Sequence, residues 1–355
     1  MAVLSSSVST VINVADTTPG IRTARLAVGH DDATGMDAVI AIDDTTLGPA
    51  LGGVRWMPYP DMDAAVTEAC RLARGMTLKN ALAQLPYGGA KSVILSQDGE
   101  ADRAAVLRAF GRLVAEFDGA YIPGVDMGTT VEDLAVIGTV APDVACNHAD
   151  PSPWTALGVY SGIVAAVRHL DHSGLAGHRV VIQGVGHVGA NLAQRLANAG
   201  AEVVVCDIDP ARSERIAASV GGRSVAPEKA LGVPCDVLAP CAQARVITTA
   251  TVPTLGCRIV AGAANDVLSE RSCADELAGM GITYVPDFLL NAGGVIHIYA
   301  IRSGWDHTRL EGVVMGIGHR TGDVLERARA TGRTPLDIAE ELADERLGHP
   351  ASVPI

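Results

Sequence analysis

The sequence predicts an α/β protein of two domains, and three observations carry that prediction. The chain of 355 residues is about twice the usual domain size of roughly 100 to 200 residues. Beyond about residue 150, short β-rich runs alternate with Ala-rich helical stretches, the pattern of a parallel sheet covered on both faces. Within that stretch, Gly184-Val185-Gly186-His187-Val188-Gly189 stands between a strand-like run and an amphipathic segment, the layout of a doubly wound, Rossmann-type domain.

The elements follow in chain order. The Ser/Thr-rich first twenty residues show little periodicity and read as a loose arm. MDAVIAID, from Met36, reads as a strand, and Gly48, Pro49, Gly52 and Gly53 break the following TTLGPALGGVR into a loop. Asp61 caps a helix over about 62–84, with Met62, Val66, Cys70, Ala73 and Met76 at helical spacing. A glycine turn (PYGGAK), a strand (SVIL), a helix over 101–116, a strand ending in a loop (YIPGVDM) and a short helix (TVEDLAVIG) complete an N-terminal α/β domain, 1–150. The prolines of HADPSPW mark its boundary. VVIQ, AEVVVCD, CDVLAP and RIVAGA supply strands of a Rossmann-type domain, 151–330. Helical sequence resumes at about 306, and a tail over 331–355 is expected to pack back across both domains.

Composition narrows the function classes. Hydrophobic residues at 48% and charged residues at 19% exclude disorder as the main state, and 3% aromatics leave the cores to Ala, Val, Leu and Ile. The net charge of −13 repels phosphates and anionic lipid, so neither nucleic acid nor a membrane is an expected partner. No apolar run reaches about 18 residues, and MAVLSSSVST lacks the charged and apolar regions of a secretory signal. Cys70, Cys146, Cys206, Cys235, Cys241, Cys257 and Cys273 are scattered and form no C-x-x-C pair, which fits a reducing cytoplasm. The histidines form no ligand-spaced cluster, and no metal is expected.

In the glycine motif, Gly184 permits the tight turn, Gly186 lets backbone approach a pyrophosphate, and Gly189 allows close helix–strand packing, with phosphate at the helix N-terminus. The next strand ends at Asp207, 18 residues after Gly189, where a carboxylate can accept from an adenine ribose. Ile208 follows it on the same cofactor path. His187 reads as an exposed helix-start residue within the cofactor-binding stretch. Asp207 and Asp209 repel a 2′-phosphate and no arginine adjoins them in sequence, although Arg212 is close. NAD is therefore expected over NADP.

The chemistry is expected in the first domain. Lys79 (RGMTLKN) and Lys91 (YGGAKS) lie in apolar or glycine-rich surroundings. Desolvation beside a second cation lowers a lysine pKa and makes it a base near neutral pH. Asp126, in PGVDMGT, is the carboxylate partner.

Together LGPALGGVR (47–55), GMTLKN (75–80), GGAKS (88–92), GVDMGT (124–129), GVGHVG (184–189), APCA (239–242), AGAAND (261–266) and PDFLLNAGG (286–294) closely resemble the amino acid dehydrogenases, within them the leucine, valine and phenylalanine branch. The resemblance covers roughly residues 25–330. It implies NAD-dependent oxidative deamination of an apolar L-amino acid to the 2-oxo acid and ammonia, reversible as reductive amination, by a homo-oligomer associating through the first domain.

Residue by residue, the resemblance makes Lys91 the general base of the hydrolytic step. Asp126 bonds the amino group and the attacking water. Lys79 grips the substrate carboxylate with backbone amides of a Gly52-Gly53 turn. Asn265 and Asn291 approach the amine and the nicotinamide. Pro240, Ala242 and Thr155 line the nicotinamide path. Leu51 and Val295 stand where glutamate-specific relatives carry a lysine and a serine, so an acidic side chain is expected to be rejected, and Met76, Val125 and Leu290 are expected to extend the apolar wall. Closure of a cleft between the domains is expected to exclude water from the hydride step.

Val54, Trp154, Asp266 and a short loop at about 140–150 depart from the family pattern. They leave open an unusual amino or imino acid as substrate. A related NAD enzyme acting on a hydroxy acid and a non-catalytic NAD-binding protein are the other readings.

Overall fold

The computed structural model describes residues 8–12, 24–95, 102–145 and 149–348. The chain divides into two compact units, Met1–Ala149 and Asp150–Ile355.

The first unit is built on a six-stranded sheet of order β1-β2-β3-β5-β4-β6. Strands β1 (Val8–Ile12), β2 (Arg25–Asp31) and β3 (Met36–Asp44) form an antiparallel meander. Then come β4 (Ala50–Met57), α1 (Met62–Leu82), β5 (Gly88–Leu95), α2 (Arg103–Ala115), β6 (Tyr121–Val125) and α3 (Val131–Ile137). β5 runs antiparallel to β3 and parallel to β4, which is also parallel to β6.

Strand alternation splits the core into two layers. Ala38, Ile40 and Ile42 of β3 pack with Leu107, Phe110 and Ile137 of α2 and α3, whereas Val39 and Ala41 pack with Ala65, Ala69 and Ala73 of α1. The small residues along α1 let it lie close to the sheet. Asp61 caps α1 by accepting from Ala64 N (2.8 Å).

Three expectations are corrected here. Of the expected loose arm, Val8–Ile12 pairs with β2 as an edge strand, in keeping with its β-branched VSTVI; the arm's remaining residues lie outside those described. The expected loop over 45–55 turns into β4 at Ala50, and the expected PYGGAK turn becomes strand at Gly88. The glycines here admit neighbouring backbone rather than break the strands: a Cβ on Gly89 would stand 2.1 Å from Thr77 N, and one on Gly52 1.6 Å from the Ala90 carbonyl oxygen.

The second unit opens with α4 (Ser152–Asp171), followed by β7 (Arg179–Gln183), α5 (His187–Asn198), β8 (Glu202–Cys206), α6 (Pro210–Ser219), β9 (Arg223–Ser224), β10 (Val237–Pro240) and β11 (Ile259–Val260). It continues with α7 (Ser272–Gly279), β12 (Thr283–Tyr284), α8 (Asp287–Leu290), α9 (Gly293–Arg302), α10 (His307–Thr331) and α11 (Pro335–Leu347). Its sheet has the order β12-β11-β10-β7-β8-β9, all parallel. That is the 3-2-1-4-5-6 order of the Rossmann fold, with the order reversing between β7 and β10, where ligands bind. The boundary expected at 330 falls at the end of α10. α10 lies along α4, where Ser161 Oγ donates to the Met315 carbonyl (2.8 Å) and accepts from Gly318 N (3.1 Å). α11 packs on α10 and, through Leu336, joins the hydrophobic cluster of this unit. No helix among the described residues is long and apolar enough to cross a membrane.

Candidate active site

Strand register places the first unit's polar residues. Lys91 on β5 is paired with Ala41 of β3 and lies one pleat from Val93, both in the cluster under α1. It therefore shares the α1 face of the sheet. On β4 the same parity gives that face Leu51, Gly53 and Arg55, while Val54 faces α2 and α3. β6 ends at Val125, so the next residue, Asp126, returns to the α1 face.

These side chains converge. Lys91 Nζ lies 2.7 Å from Asp126 Oδ2, and Arg55 Nε donates to the same oxygen at 2.9 Å. Arg55 also reaches Glu68 of α1 (2.8 Å), which pairs in turn with Arg71 (2.7 Å). A Cβ on Gly53 would stand 2.7 Å from the Asp126 Cβ and 3.1 Å from Lys91 Nζ, so glycine leaves the space in which the pair meets. The Asp126 loop is fastened to β4: Thr129 Oγ1 accepts from Asp126 N (3.0 Å) and donates to the Val54 carbonyl (2.8 Å), and Trp56 N donates to the Met127 carbonyl (2.9 Å). Beneath it, the buried Tyr121 hydroxyl bonds Ser92 Oγ (2.8 Å) and the Gly52 carbonyl (3.2 Å).

The electrostatics follow from burial and neighbours. Desolvation pushes the Lys91 pKa down from the ordinary lysine range; Asp126 and Glu68 oppose that shift and Arg55 adds to it. Burial alone raises Asp126, but Lys91 and Arg55 outweigh it and hold the carboxyl at about 2. The unit thus holds a carboxylate that stays ionised at any working pH beside an amine biased toward its neutral, basic form.

Other candidate residues fall as follows. Lys79 is buried near the C-terminus of α1, three residues beyond the half-buried Met76 and so on the same side of the helix. Leu51 is buried, and its register with Gly89 of β5 puts it on the α1 face. Gly52 and Gly53 lie inside β4, opposite Pro123 and Gly124 of β6, rather than in a turn. Of the expected apolar wall, Val125 is 45% exposed at the register of Val54, on the face away from Asp126, and Leu290 is fully buried against Gly162 of α4. Arg55 and Glu68 were not among the sequence candidates. The signal for Arg55 was its spacing, two residues after Gly53 on a strand.

In the second unit the glycine motif closes tightly. Gly184 has φ +94°, where an L side chain is strained, and a Cβ on it would lie 2.4 Å from the Ala242 Cβ beyond β10. A Cβ on Gly189 would lie 2.0 Å from the Gly184 carbonyl oxygen, whereas one on Gly186 meets nothing within 4 Å. Gly186 is the N-cap of α5 and supplies no side-chain cap. The first turn of α5 therefore presents its amides to open space, which suits a pyrophosphate.

Asp207 Oδ2 accepts from Val185 N (2.9 Å) and Oδ1 from Asp209 N (3.0 Å), while Ile208 is 86% exposed. Although no arginine adjoins these aspartates in sequence, the first turn of α6 brings Arg212 onto Asp207 (3.1 Å) and Asp209 (3.5 Å). Val188 follows His187 in the first turn of α5, and His187 is exposed, 3.6 Å from Asp150. Pro240 ends β10, and Ala242 is exposed beyond it. Thr155, in the first turn of α4, lies beside Gly293 and Gly294 of α9, the helix that carries the half-buried Val295. Asn291 Nδ2 donates to Asn265 Oδ1 (2.8 Å) and the Ala263 carbonyl (3.1 Å), while its own buried Oδ1 has no partner among the described residues. Asp266 adopts φ +56° and pairs with Arg245 (3.1 Å); Asp tolerates that conformation well. Trp154 stacks near His297, with ring centroids 5.9 Å apart, and meets His307 at 4.9 Å.

Comparison with known proteins accords with this arrangement. Residues 22–141 match the family domain described as Glu/Leu/Phe/Val dehydrogenase, dimerisation domain. Residues 150–211 and 210–301 match Glutamate/Leucine/Phenylalanine/Valine dehydrogenase. The chain is 39% identical over 331 residues to leucine dehydrogenase of Bacillus subtilis (strain 168), covering 91% of each chain. It is 39% identical over 331 residues to valine dehydrogenase of Streptomyces albus, covering 90% of each. The crystal structure of L-tryptophan dehydrogenase from Nostoc punctiforme matches with a TM-score of 0.81 at 36% identity, over 92% of this chain and 96% of that one.

Proposed function

The chain belongs to the Glu/Leu/Phe/Val dehydrogenase family, and from that premise we propose that it uses NAD to deaminate an apolar L-amino acid oxidatively to the 2-oxo acid and ammonia, reversibly. The observation that carries the reading is the buried Lys91–Asp126 pair at 2.7 Å, with the base-forming amine and the permanent carboxylate on one face of the sheet. NAD, when bound, would supply the hydride acceptor facing the substrate Cα. Lys79 would hold the substrate carboxylate and fix which face of Cα is presented. Neutral Lys91 would take the proton from the attacking water. Asp126 Oδ1, which takes no hydrogen bond among the described residues, would accept from the substrate amine. Leu51 supports an apolar side chain, because a desolvated distal carboxylate without a partner is costly.

The amides of Gly186, His187 and Val188 at the start of α5 would hold the pyrophosphate. Asp207 would accept from the adenine ribose beside the exposed Ile208. Asn265 and Asn291, with Thr155, Pro240 and Ala242, would meet the nicotinamide end. Arg212 is engaged by Asp207 and Asp209, which supports NAD over NADP. Asp207→Ala is expected to lower kcat/KM for NAD by about tenfold or more and to raise it for NADP, because the carboxylate that repels a 2′-phosphate is gone and Arg212 loses the nearer of its two acidic partners. Initial rates with the two cofactors check this. The match of residues 22–141 to a dimerisation domain supports a homo-oligomer, and the scattered cysteines, none in a C-x-x-C pair, support a reducing, cytoplasmic setting.

NADH formation at 340 nm with each of the twenty L-amino acids, and ammonia-dependent NADH oxidation with the matching 2-oxo acids, test the reaction. Turnover confined to branched-chain or aromatic substrates is the expected result. NAD binding with no turnover on any amino acid overturns it.

A further inference from the structure

We propose that Arg55 and Glu68 are positioning residues that hold and tune the Lys91–Asp126 pair in opposite senses; the inference rests on Lys91 acting as the base. The geometry is an alternating chain of charge across three elements. Lys91 and Arg55, from β5 and β4, both bind Asp126 Oδ2, at 2.7 and 2.9 Å. Because both cations use one oxygen, the carboxylate is clamped in a single orientation and its Oδ1 is left to the substrate. Behind Arg55, Glu68 of α1 binds it at 2.8 Å and is itself held by Arg71 at 2.7 Å. The side chains of Arg55 and Glu68 are only 13% and 19% exposed, so water screens their charges weakly.

The other groups near Lys91 leave these two as the adjustable charges. Burial keeps the Tyr59 and Tyr121 hydroxyls neutral. On β3, Asp43 lies one pleat beyond Ala41, the register partner of Lys91, and faces Arg74 of α1 (3.8 Å). Lys79 lies farther along α1. Arg55 favours the neutral amine of Lys91 and Glu68 favours the ammonium. Removing one or the other must move the Lys91 titration in opposite directions, a signature that simple loss of packing does not produce.

The chain has only three lysines, Lys79, Lys91 and Lys229, so lysine labelled with 13C at Cε gives three signals. The Lys91 signal is assigned by its absence in Lys91→Ala. Arg55→Gln is expected to raise the Lys91 midpoint, and with it the acid limb of kcat/KM for deamination, by about one pH unit, and Glu68→Gln to lower both by about half a unit. Arg55→Lys, which keeps the charge, should restore the wild-type midpoint. Midpoints that stay in place, or that move the same way in both Gln variants, overturn the inference. If Arg55→Gln does not fold, an unmoved or raised midpoint in Glu68→Gln overturns it alone. If the midpoints move as expected but no amino acid reduces NAD in the wild type, the dehydrogenase reading fails and the charge coupling stands.

Discussion

Lys91→Ala is expected to lower kcat by about a thousandfold or more, within the range for loss of a general acid–base group, while leaving the fold and NAD binding intact. The fold survives because Lys91 is a buried cation whose desolvation opposes its charge, and Asp126 keeps Arg55 as a partner when Lys91 is gone. NAD binding survives because the glycine motif belongs to the other unit. Lys91→Arg is expected to be as inactive, since a guanidinium does not release its proton near neutral pH. Steady-state rates with the best substrate, beside NADH fluorescence titration, check both variants. Retention of a tenth of the wild-type kcat by either variant removes Lys91 from the role of base.

Basic-residue usage makes the same point. Of 27 basic residues, only Lys79, Lys91 and Lys229 are lysines. Arginine serves nearly every other positive charge, yet the two buried positions of the first unit keep lysine. Arginine can pair with a carboxylate, but only an amine can become neutral in such a site. The rarity of lysine is legible in the composition, and the apolar and glycine-rich context of Lys79 and Lys91 is legible locally.

The second unit was the more legible half because its information is local. A strand, a glycine turn, an amphipathic helix and an acidic strand end are consecutive in sequence, and alternating strands and helices joined by right-handed crossovers wind a parallel sheet. The two-residue strands β9 and β12 are too short to leave a period. In the first unit the two errors at glycines share one cause. Gly52, Gly53, Gly88 and Gly89 were read as breakers by their conformational freedom, whereas here they act by lacking a Cβ, letting β4, β5, the Asp44 carbonyl and α1 approach closely. Sequence alone does not separate these two uses, because the partner backbone is distant in the chain. Arg55 escaped for the same reason: its alternation with Gly53 has meaning only once β4 is recognised as a strand.

Asp126→Ala is expected to be the most disruptive single change in the first unit, because Asp126 is the shared anion of two cations. Its removal leaves Lys91 and Arg55 facing one another across the vacated carboxylate site, and an uncompensated buried charge costs about 3–5 kcal/mol. Asp126→Asn preserves the shape but not the charge, so it separates packing from electrostatics, and both variants are expected to lose about a thousandfold in kcat. The pH dependence carries the clearer sign. Asp126 is held at about 2 against 3.8 for the free group. Its contribution to stability is complete above about pH 4 and is lost as pH falls through about 2, a difference of about 2 kcal/mol. The depressed Lys91 pKa also makes stability rise with pH, but in a separate window, between its lowered value and the 10.5 of the free group, where the unfolded chain binds that proton more readily. Urea unfolding from pH 7 downward should show the wild type losing this stability over the acid range and Asp126→Asn starting lower with a flatter profile. Parallel profiles for the two proteins would instead mean that the acid sensitivity arises elsewhere and that Asp126 is not the group the two cations hold ionised.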